Sequence, residues 1–222
     1  MGRYRKSDET MERIMHASKI LFYEKGFQDT SIKDISEKSE TNRALISYHF
    51  SGKEGLGIEI SNQINLDILK AIDRNIRRVC KSCEPILEIA IQFRQFVDFR
   101  KKNKDYARFI AELARDNILV TARKHVGIQQ LEELGKKYDL GLTKEDVQFI
   151  HHCFTAMTSG VILMQYDERF ENISYKYIAD KEIEIYMQML GFDPDYIDKI
   201  LKESSDLFNQ FDITIARNFV VK

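Results

Sequence analysis

The sequence predicts an all-α protein, and both its composition and its apolar spacing indicate this. Its 222 residues include only two prolines and ten glycines, so few positions interrupt a helix. Ile, Leu, Lys and Glu are abundant, and apolar residues recur every three or four positions along most of the chain. We expect an N-terminal three-helix domain, residues 1–52, and a larger helical domain, residues 53–222.

Charge and cysteine content narrow the class of protein. The net charge of −1 argues against a protein that coats nucleic acid with its whole surface, but it allows a local basic face. The cluster Arg3-Tyr4-Arg5-Lys6 is either a solvated terminus or an arm that contacts DNA. Three cysteines, no apolar leader and no apolar stretch of membrane-spanning length predict reduced thiols, a cytoplasmic location and no membrane partner.

Three short helices are predicted before residue 52. The first covers about residues 10–25 and the second residues 32–39. A tight turn at 40–42 ends in Asn42, a good N-cap for a third helix over 43–50. Two short helices joined by a three-residue turn and braced by a preceding helix are typical of a helix-turn-helix. Periodicity alone does not distinguish this layout from another small three-helix bundle.

Residues in these helices and in the turns between them resemble the pattern of a known family. In chain order they are Phe22-Tyr23-Glu24-Lys25-Gly26-Phe27, Thr30-Ser31, Ile35, Leu45-Ile46, Tyr48-His49-Phe50 and Lys53-Glu54-Gly55-Leu56. At these spacings the pattern, which covers about residues 10–56, resembles the N-terminal signature of TetR-family regulators. The resemblance implies a homodimeric repressor that binds a palindromic operator through residues 1–52. Residues 53–222 would then form the dimer and bind an unknown small-molecule inducer that releases the DNA.

Two positions depart from the family pattern. Glu40 stands in the turn where the family usually has Gly, so we expect a slightly different turn geometry. Ser47 stands where the family usually has Tyr, although some branches carry Ile-Ser followed by Gly-Lys, as here. Ser47 therefore bears on the identity of the base contacts and not on the fold.

The third helix is predicted to read base edges in the major groove. Arg43 is the residue best able to make a bidentate contact to guanine, and Ala44 and Leu45 are placed to touch thymine methyl groups. Ser47 lies one turn further along the same face. A two-fold dimer implies half-sites roughly 34–36 Å apart or somewhat more.

Other DNA contacts come from the resemblance. It implies that Tyr48 and His49 lie against the DNA backbone, that Thr30 caps the second helix and donates to a phosphate, and that Lys53 adds a charge at the start of the long helix. The alternative is that Tyr48 packs in the core and His49 is a plain surface residue. We assign Ile35, Ile46 and Phe50 to the core. The predicted DNA-binding set is Thr30, Ser31, Asn42, Arg43, Ala44, Leu45, Ser47, Tyr48, His49 and Lys53.

The C-terminal part is predicted to form seven more helices. They cover about residues 53–79, 85–100, 104–114, 120–138, 143–166 and 175–190, with a last helix reaching about residue 207. The tail, residues 211–222, is apolar with partial alternation. It docks either on its own domain or on the partner subunit.

Two of these helices carry apolar stripes. In residues 143–166 the stripe is Val147, Ile150, Phe154, Met157, Val161 and Met164, beside the small residues Ala156, Ser159 and Gly160. In residues 175–190 it is Ile178, Ile185 and Met189. Both stripes either face the domain's own core or form a dimer interface. The resemblance implies the second, a four-helix interface made by these two helices of each subunit.

Aromatic and polar residues between 85 and 166 are candidates for an inducer cavity. They are Phe93, Phe96, Tyr106, Phe109, His125, His151, Thr155 and Thr158. Plain core packing is the alternative for each aromatic residue. By hypothesis, a bound ligand tilts the long helix after Lys53 and changes the distance between the two DNA-binding domains of the dimer.

Signals for metal or catalytic chemistry are weak. Cys80 and Cys83 form a lone C-x-x-C motif, and the side chains of His151-His152-Cys153 diverge by about 100° per residue on a helix. A phosphate loop, a nucleophile elbow and an H-E-x-x-H motif are all absent from the sequence. We therefore predict no cofactor, no metal and no enzymatic activity. The alternatives are a small helical enzyme or metal-binding protein, and an activator or global regulator without an inducer.

Overall fold

Helices make up nearly all of the regular structure. The computed structural model describes residues 2–79, 83–122 and 124–222, without the side chains of residues 2–6, 122 and 124–126. The helices are α1 (Gly2–Glu24), α2 (Ile32–Ser39), α3 (Arg43–Phe50), α4 (Lys53–Val79), α5 (Pro85–Lys102), α6 (Lys104–Arg115), α7 (Ile118–Ala122), α8 (Lys124–Lys137), α9 (Lys144–Tyr166), α10 (Tyr175–Met189) and α11 (Pro194–Phe208). Strands β1 (Ile215–Ala216) and β2 (Val220–Val221) pair antiparallel. The prediction of an all-α fold is confirmed, with this short hairpin added.

The predicted bounds of α2, α3 and α4 agree with the structure, whereas two other helices differ. Helix α1 begins at Gly2 and not near residue 10, because residues 3–9 contain neither proline nor glycine to interrupt it. The helix predicted over 120–138 consists of two described helices, α7 and α8, on either side of residue 123. The side chains of the basic cluster at residues 3–6 lie outside the described residues.

Capping boxes set the starts of α2 and α9. Ser31 Oγ accepts the backbone N–H of Asp34 at 3.1 Å, and the Asp34 carboxylate accepts the Ser31 N–H at 2.8 Å. Thr143 and Asp146 repeat this arrangement at α9. Each box provides acceptors for helix-end N–H groups that have no partner within the helix.

The N-terminal helices share a small apolar core with the start of α4. Ile14 of α1, Ile35 of α2, Ile46 of α3 and Leu56 of α4 are completely buried. The assignment of Ile35 and Ile46 to this core is confirmed, and Phe50 is half-buried against it. Burial of Ile46 fixes the rotation of α3 and therefore determines which of its residues face outward.

Helix α6 joins this bundle to the rest of the chain. The buried Glu112 carboxylate accepts the backbone N–H groups of Phe27 and Gln28. Gly26, with φ +97°, leaves room for this carboxylate, because a Cβ there would lie 2.8 Å from Glu112 Oε1. Arg108 Nη2 donates to the Tyr23 carbonyl at 2.6 Å. Two charged side chains of α6 therefore hold the last turn of α1 and the loop that connects it to α2.

The C-terminal hairpin docks on its own chain, and this decides between the two alternatives for the tail. The Phe219 ring lies 4.8 Å from that of Phe109 and 5.2 Å from that of Tyr23, and Arg217 pairs with Glu24. Phe219 has φ +61°, a left-handed conformation that costs about 1–2 kcal/mol for a residue with a Cβ. Burial of its ring offsets this cost.

A buried arginine connects three helices of the C-terminal part. Arg94 of α5 donates to Ser204 Oγ at 2.9 Å, to the Leu201 carbonyl at 2.8 Å and to the Asp180 carboxylate at 2.6 Å. These contacts fix α10 and α11 against α5, on the side of the chain away from α1.

Helix α9 is long and apolar enough, by length and composition alone, to cross a membrane. The expectation that no apolar stretch reaches this length is therefore wrong for Lys144–Tyr166. One such helix is weak evidence for a membrane span, because core helices pass the same test. A third of its most apolar window, 33%, is buried inside the chain.

The turn between α2 and α3 provides a stability prediction. Glu40 has φ 52° and ψ 42°, which is left-handed backbone that favours glycine. We expect Glu40→Gly to raise the free energy of unfolding by about 0.5–1 kcal/mol, since relief of strain exceeds the entropy that glycine adds to the unfolded chain. Urea denaturation measures this change. The control Glu37→Gly, at an exposed position inside α2, should lower stability by about 1 kcal/mol. Equal destabilisation by both changes would contradict the prediction.

Candidate nucleic-acid interface

Helix α3 presents a continuous exposed face. Arg43, Ala44, Ser47 and Tyr48 are all exposed, on the side opposite the buried Ile46. These positions are zero, one, four and five residues from the first, so they share one side of an α-helix. Asn42 begins the helix, and its side chain accepts the Ala44 N–H at 2.9 Å. The structure thus brings most of the predicted base-reading residues together on one surface.

Two side chains on this face, Arg43 and Tyr48, are available to contact a partner. Arg43 is exposed and forms no hydrogen bond or ion pair with other described residues, so its guanidinium donors are available to a partner. Tyr48 is 81% exposed, and its ring meets that of His49 edge-on at 4.9 Å. The alternative that Tyr48 packs in the core is therefore wrong. Leu45 is 37% exposed, which leaves part of its side chain on the same surface.

A carboxylate occupies the start of α2. The hydroxyl and backbone N–H of Ser31 donate to Asp34 and hold the pKa of that carboxyl at about 2, with a smaller contribution from Lys25 at 3.5 Å. Asp34 is therefore ionised at neutral pH. A DNA phosphate approaching this helix end meets a negative charge already bonded to Ser31, which weakens the usual anion preference of a helix start.

The role predicted for Thr30 is wrong. Ser31, not Thr30, is the N-cap of α2. Thr30 is 1% exposed, and its hydroxyl donates to the Gly26 carbonyl at 2.6 Å, so it is not available to donate to a phosphate. A hydroxyl at either position satisfies the sequence pattern, and only the backbone path distinguishes the two.

Lys53 has a structural role at the start of α4. Its ammonium donates to the carbonyls of Phe27 at 3.0 Å and Gln28 at 3.3 Å, and lies 4.6 Å from the centre of the Phe27 ring. Lys53 therefore binds the carbonyls of the α1–α2 loop, at the same two residues whose N–H groups Glu112 accepts. Two of its three ammonium hydrogens are engaged within the chain, which limits its contribution to a phosphate contact.

The residues predicted to line an inducer cavity do not form one group. Phe93 lies 5.2 Å from Phe154 and 5.3 Å from Tyr186, in a cluster between α5, α9 and α10. Phe109 instead stacks on Phe22 at 5.8 Å, at the junction with α1. Tyr106 is buried beside Phe99, and Phe96 is half-buried against the core. These contacts are core packing, the alternative that the sequence left open.

The polar residues predicted to line the cavity either have contacts within the chain or lie outside the described residues. The hydroxyls of Thr155 and Thr158 donate to carbonyls of their own helix at 2.7 Å and 2.8 Å. His151 is buried against Gly127, where a Cβ would lie 2.5 Å from its ring. The side chain of His125 lies outside the described residues. The prediction that these residues bind a ligand stays a prediction.

A cleft that the sequence prediction missed lies between α5, α6, α9 and the start of α10. Its volume is about 330 Å³, and Arg100, Lys104, Arg108, Gln165 and Tyr175 line it together with further residues. The run of basic residues from Arg100 to Lys104, broken only by Asn103, was the available signal in the sequence.

The apolar stripe of α9 is divided between the core and the surface. Val147 and Ile150, predicted to lie in a dimer interface, are buried in their own chain, as is Ile178 of α10. Their assignment to the interface is wrong. The open face of α9 instead carries Phe149, which is 69% exposed, and Met164, which is 48% exposed. On α10 the exposed apolar residues are Tyr177 and Ile185. Between Phe149 and Met164 this open face has the small residues Cys153, Ala156 and Gly160.

Metal binding finds no support in the described part of the chain, where no group of three or more His, Cys, Asp or Glu side chains is placed to hold an ion. Cys83 is half-buried, and its predicted partner Cys80 lies outside the described residues. The rings of His151 and His152 are 5.3 Å apart and meet at 65°.

Comparison with known proteins gives three results. Residues 14–60 match the family model described as bacterial regulatory proteins, tetR family. The chain is 25% identical over 114 residues to the probable HTH-type transcriptional regulator YttP of Bacillus subtilis (strain 168), covering 50% of this chain and 54% of that protein. It is 28% identical over 133 residues to the uncharacterized HTH-type transcriptional regulator YfiR of the same organism, covering 60% of each. The chain thus matches little more than half the length of these relatives.

The third result concerns the fold. The crystal structure of RolR in complex with resorcinol matches with a TM-score of 0.64 and 16% identity, over 89% of this chain and 95% of that one. The structure of RolR without ligand matches with a TM-score of 0.60 and 15% identity, over 87% and 96%. At this level of identity the likeness shows a shared fold alone.

Proposed function

Since this chain belongs to the TetR family of bacterial regulatory proteins, we propose that it is a cytoplasmic transcriptional repressor, released from a palindromic operator by a small molecule. Members of the family are DNA-binding regulators and not enzymes, so no reaction is assigned to the chain. The observation that carries the proposal is the exposed face of α3, which presents Arg43, without a partner among the described residues, and Tyr48, which is 81% exposed. RolR, which shares the fold, binds resorcinol, and this supports a small-molecule inducer.

In the proposed complex α3 enters the major groove. Arg43 donates to guanine O6 and N7, while Ala44 and Leu45 contact thymine methyl groups. Ser47, Tyr48 and His49 contact the adjacent bases and the DNA backbone, which fixes the register of the helix. Asn42, at the start of α3, contributes a contact to the DNA backbone that does not depend on sequence. A contact from Ser31 at the start of α2 would require its hydroxyl or N–H to exchange Asp34 for a phosphate.

We assign the dimer interface to the open faces of α9 and α10. Exposed apolar residues at both ends of the α9 face are separated by small ones, and this combination suits close contact with a second copy of the same helix. Gly160 has nothing within 4 Å of the position of its missing Cβ, so the chain itself leaves that space open. Two such chains, related by a two-fold axis, present two copies of α3 to the two halves of a palindrome.

Arg43→Ala tests the base-reading role. DNA sites are first selected from a random library with the wild-type protein, and affinity is then measured by mobility shift at fixed salt. Loss of a bidentate contact should cost about 1–3 kcal/mol, roughly 5- to 150-fold, on the selected site and leave binding to unrelated DNA nearly unchanged. The change should also relax selection at one base pair of each half-site.

A matched control removes the same charge from an exposed arginine outside the DNA-binding domain. Arg169 is exposed in the loop after α9, so Arg169→Ala should leave discrimination between DNA sites intact. An equal loss by Arg43→Ala on selected and unrelated DNA would refute base reading by this residue. Failure of the wild-type protein to select any site would refute the proposed function.

A further inference from the structure

The β1–β2 hairpin is bound to the end of α1. Phe219 lies 5.2 Å from the ring of Tyr23, and Arg217 pairs with Glu24. Both contacted residues lie in the last turn of α1, directly before the loop that leads to α2. The contacts of α1 with the short helical turn of the hairpin, Arg217–Phe219, are more extensive than its contacts with α4 or with α6. The hairpin is therefore a main connection between α1 and the larger domain.

The other side of the hairpin is bound to that larger domain. The buried Gln95 of α5 donates through its side-chain amide to the Ile213 carbonyl at 3.2 Å. Asn103, which separates α5 from α6, donates to the Ile215 carbonyl at 3.0 Å. These amides hold the backbone of the hairpin, whereas its aromatic ring and its ion pair hold α1. The hairpin thus spans the junction between the two domains.

Buried aromatic rings continue this connection to the loop before α2. Phe219 lies 4.8 Å from Phe109. Phe109 lies 5.8 Å from Phe22, which in turn lies 5.2 Å from Phe27 in that loop. All four rings are buried, and a close-packed interior deforms little, so it transmits strain between neighbours. The position of the hairpin therefore affects the loop that sets the start of α2.

The docked hairpin contains unfavourable features. Asn218 and Phe219 are consecutive residues in left-handed backbone, with φ 58° and 61°, a conformation that is strained for an aromatic residue. The Asn218 Oδ1 atom is buried and has no hydrogen-bond donor among the described residues. Each strand has only two residues, so the hairpin has few hydrogen bonds of its own. These features lower the free energy needed to release it, and strained segments are common in elements that switch between two states.

We propose that the β1–β2 hairpin is a releasable strap that controls operator affinity. When it is docked, α1 and the loop before α2 are held in one position, so α3 meets DNA without further ordering. When it is released, the rings of Tyr23 and Phe109 lose their partner, and the DNA-binding domain gains freedom that operator binding has to remove. The operator therefore binds the docked form more tightly. The inference rests on the proposed function, because it concerns the regulation of the same DNA-binding face.

Thermodynamic linkage makes this coupling reciprocal. If docking of the hairpin strengthens operator binding by some factor, the bound operator must stabilise docking by the same factor. A hairpin that only packs against its own domain would not respond to DNA in this way. The response of the hairpin to operator DNA therefore distinguishes a regulatory strap from a purely structural one.

Hydrogen exchange of the full-length protein, followed by mass spectrometry, measures release of the hairpin. In the hairpin the backbone N–H groups of Thr214 and Lys222 each donate to the carbonyl of the other residue, at 3.1 and 2.9 Å. Without DNA, we expect peptides covering residues 213–222 to exchange at least tenfold faster than the buried part of α4. A saturating selected operator should slow this exchange at least fivefold, and an unrelated duplex at the same concentration should not. Exchange only at the rate of global unfolding, or no slowing by bound operator, would overturn the proposal.

Phe219→Ala removes the ring that docks the hairpin. We expect its operator affinity, measured by mobility shift, to fall by the factor by which the operator slows hairpin exchange in the wild-type protein, within about twofold. Sedimentation velocity should show the same oligomeric state as the wild type, since α9 and α10 are unchanged. Wild-type operator affinity in a Phe219→Ala protein whose hairpin exchanges freely would contradict the proposal.

A milder variant leaves the core intact. Arg217→Gln removes the exposed ion pair with Glu24 and should speed hairpin exchange about two- to fivefold. Lys202→Gln is the matched control, because it removes an exposed ion pair with Asp206 on α11 and should leave hairpin exchange unchanged. Equal exchange in the two variants would show that α1 does not hold the hairpin.

The two proposals fail in different ways. Failure to select any operator would refute the proposed function, and the exchange of the hairpin in the free protein would still show whether it is released below global unfolding. A selected operator that binds without slowing hairpin exchange would refute the strap alone.

Discussion

Gly160→Glu is expected to convert the dimer into monomers and abolish operator binding at concentrations where the wild-type protein is saturated. The new carboxylate would lie on the open face of α9, where our assignment places the partner's helix in close contact. Burying an unpaired charge there should raise the dissociation constant of the dimer at least 100-fold. Sedimentation velocity measures the oligomeric state, and mobility shift measures the loss of DNA binding.

The same change should leave the single subunit slightly more stable. Glycine inside a helix is about 1 kcal/mol less favourable than most residues, and a Cβ at position 160 would have no atom outside its own helix turn within 4 Å. Misfolding therefore cannot account for a monomer that gains stability. Gly160→Ala is the matched control, since it improves the helix without adding a charge and should remain dimeric. A Gly160→Glu protein that stays dimeric and binds its operator would exclude this face as the interface.

Glu112→Ala is expected to lower the free energy of unfolding by about 2–4 kcal/mol. The change leaves the backbone N–H groups of Phe27 and Gln28 without their acceptor, in a region where the Glu112 side chain is 7% exposed. An unsatisfied buried donor costs about 1–3 kcal/mol, which applies in full to the buried Phe27 and less to the exposed Gln28, and loss of the packed Glu112 side chain adds to it. Because these groups belong to the loop before α2, we also expect operator affinity to fall. Urea denaturation and mobility shift measure the two effects.

Two further glutamate substitutions, one conservative and one at an exposed position, serve as controls for Glu112→Ala. Glu112→Gln keeps the shape and one carbonyl oxygen, so its loss of stability should be intermediate. Glu132→Ala, at an exposed position on α8, should change stability by less than about 0.5 kcal/mol. A loss no larger for Glu112→Ala than for Glu132→Ala would show that the contact with the α1–α2 loop is unimportant.

Helix α3 was predictable because its determinants are local. Asn42 marks its start, and Ile46 on the opposite side from Arg43 determines its outward face. Thr30 was misplaced because two adjacent hydroxyls fit the same capping pattern. The structure identifies Ser31 as the cap by its backbone conformation, which the pattern does not contain.

Features that depend on distant segments were not predictable in the same way. The apolar stripe of α9 was assigned to a dimer interface. A helix with apolar residues on several sides does not show, from its sequence, which side packs against its own chain. The eight cavity candidates were chosen by composition, which cannot show that Phe109 packs against Phe219 while Phe93 packs against Tyr186. Glu112 and Arg108 gain their importance only when the fold brings α6 to the α1–α2 loop.

The docking of the β1–β2 hairpin has a consequence for biosynthesis. Residues 1–115, which include Tyr23 of α1 and Phe109 of α6, leave the ribosome before Phe219, so these two rings emerge without the ring that packs on them. The apolar patch closes only when residues 213–221 have been translated, through contacts between segments far apart in sequence, which form slowly. A nascent chain that stalls or is cut before the hairpin therefore carries an open apolar surface. It becomes a target for chaperones and proteases before folding is complete.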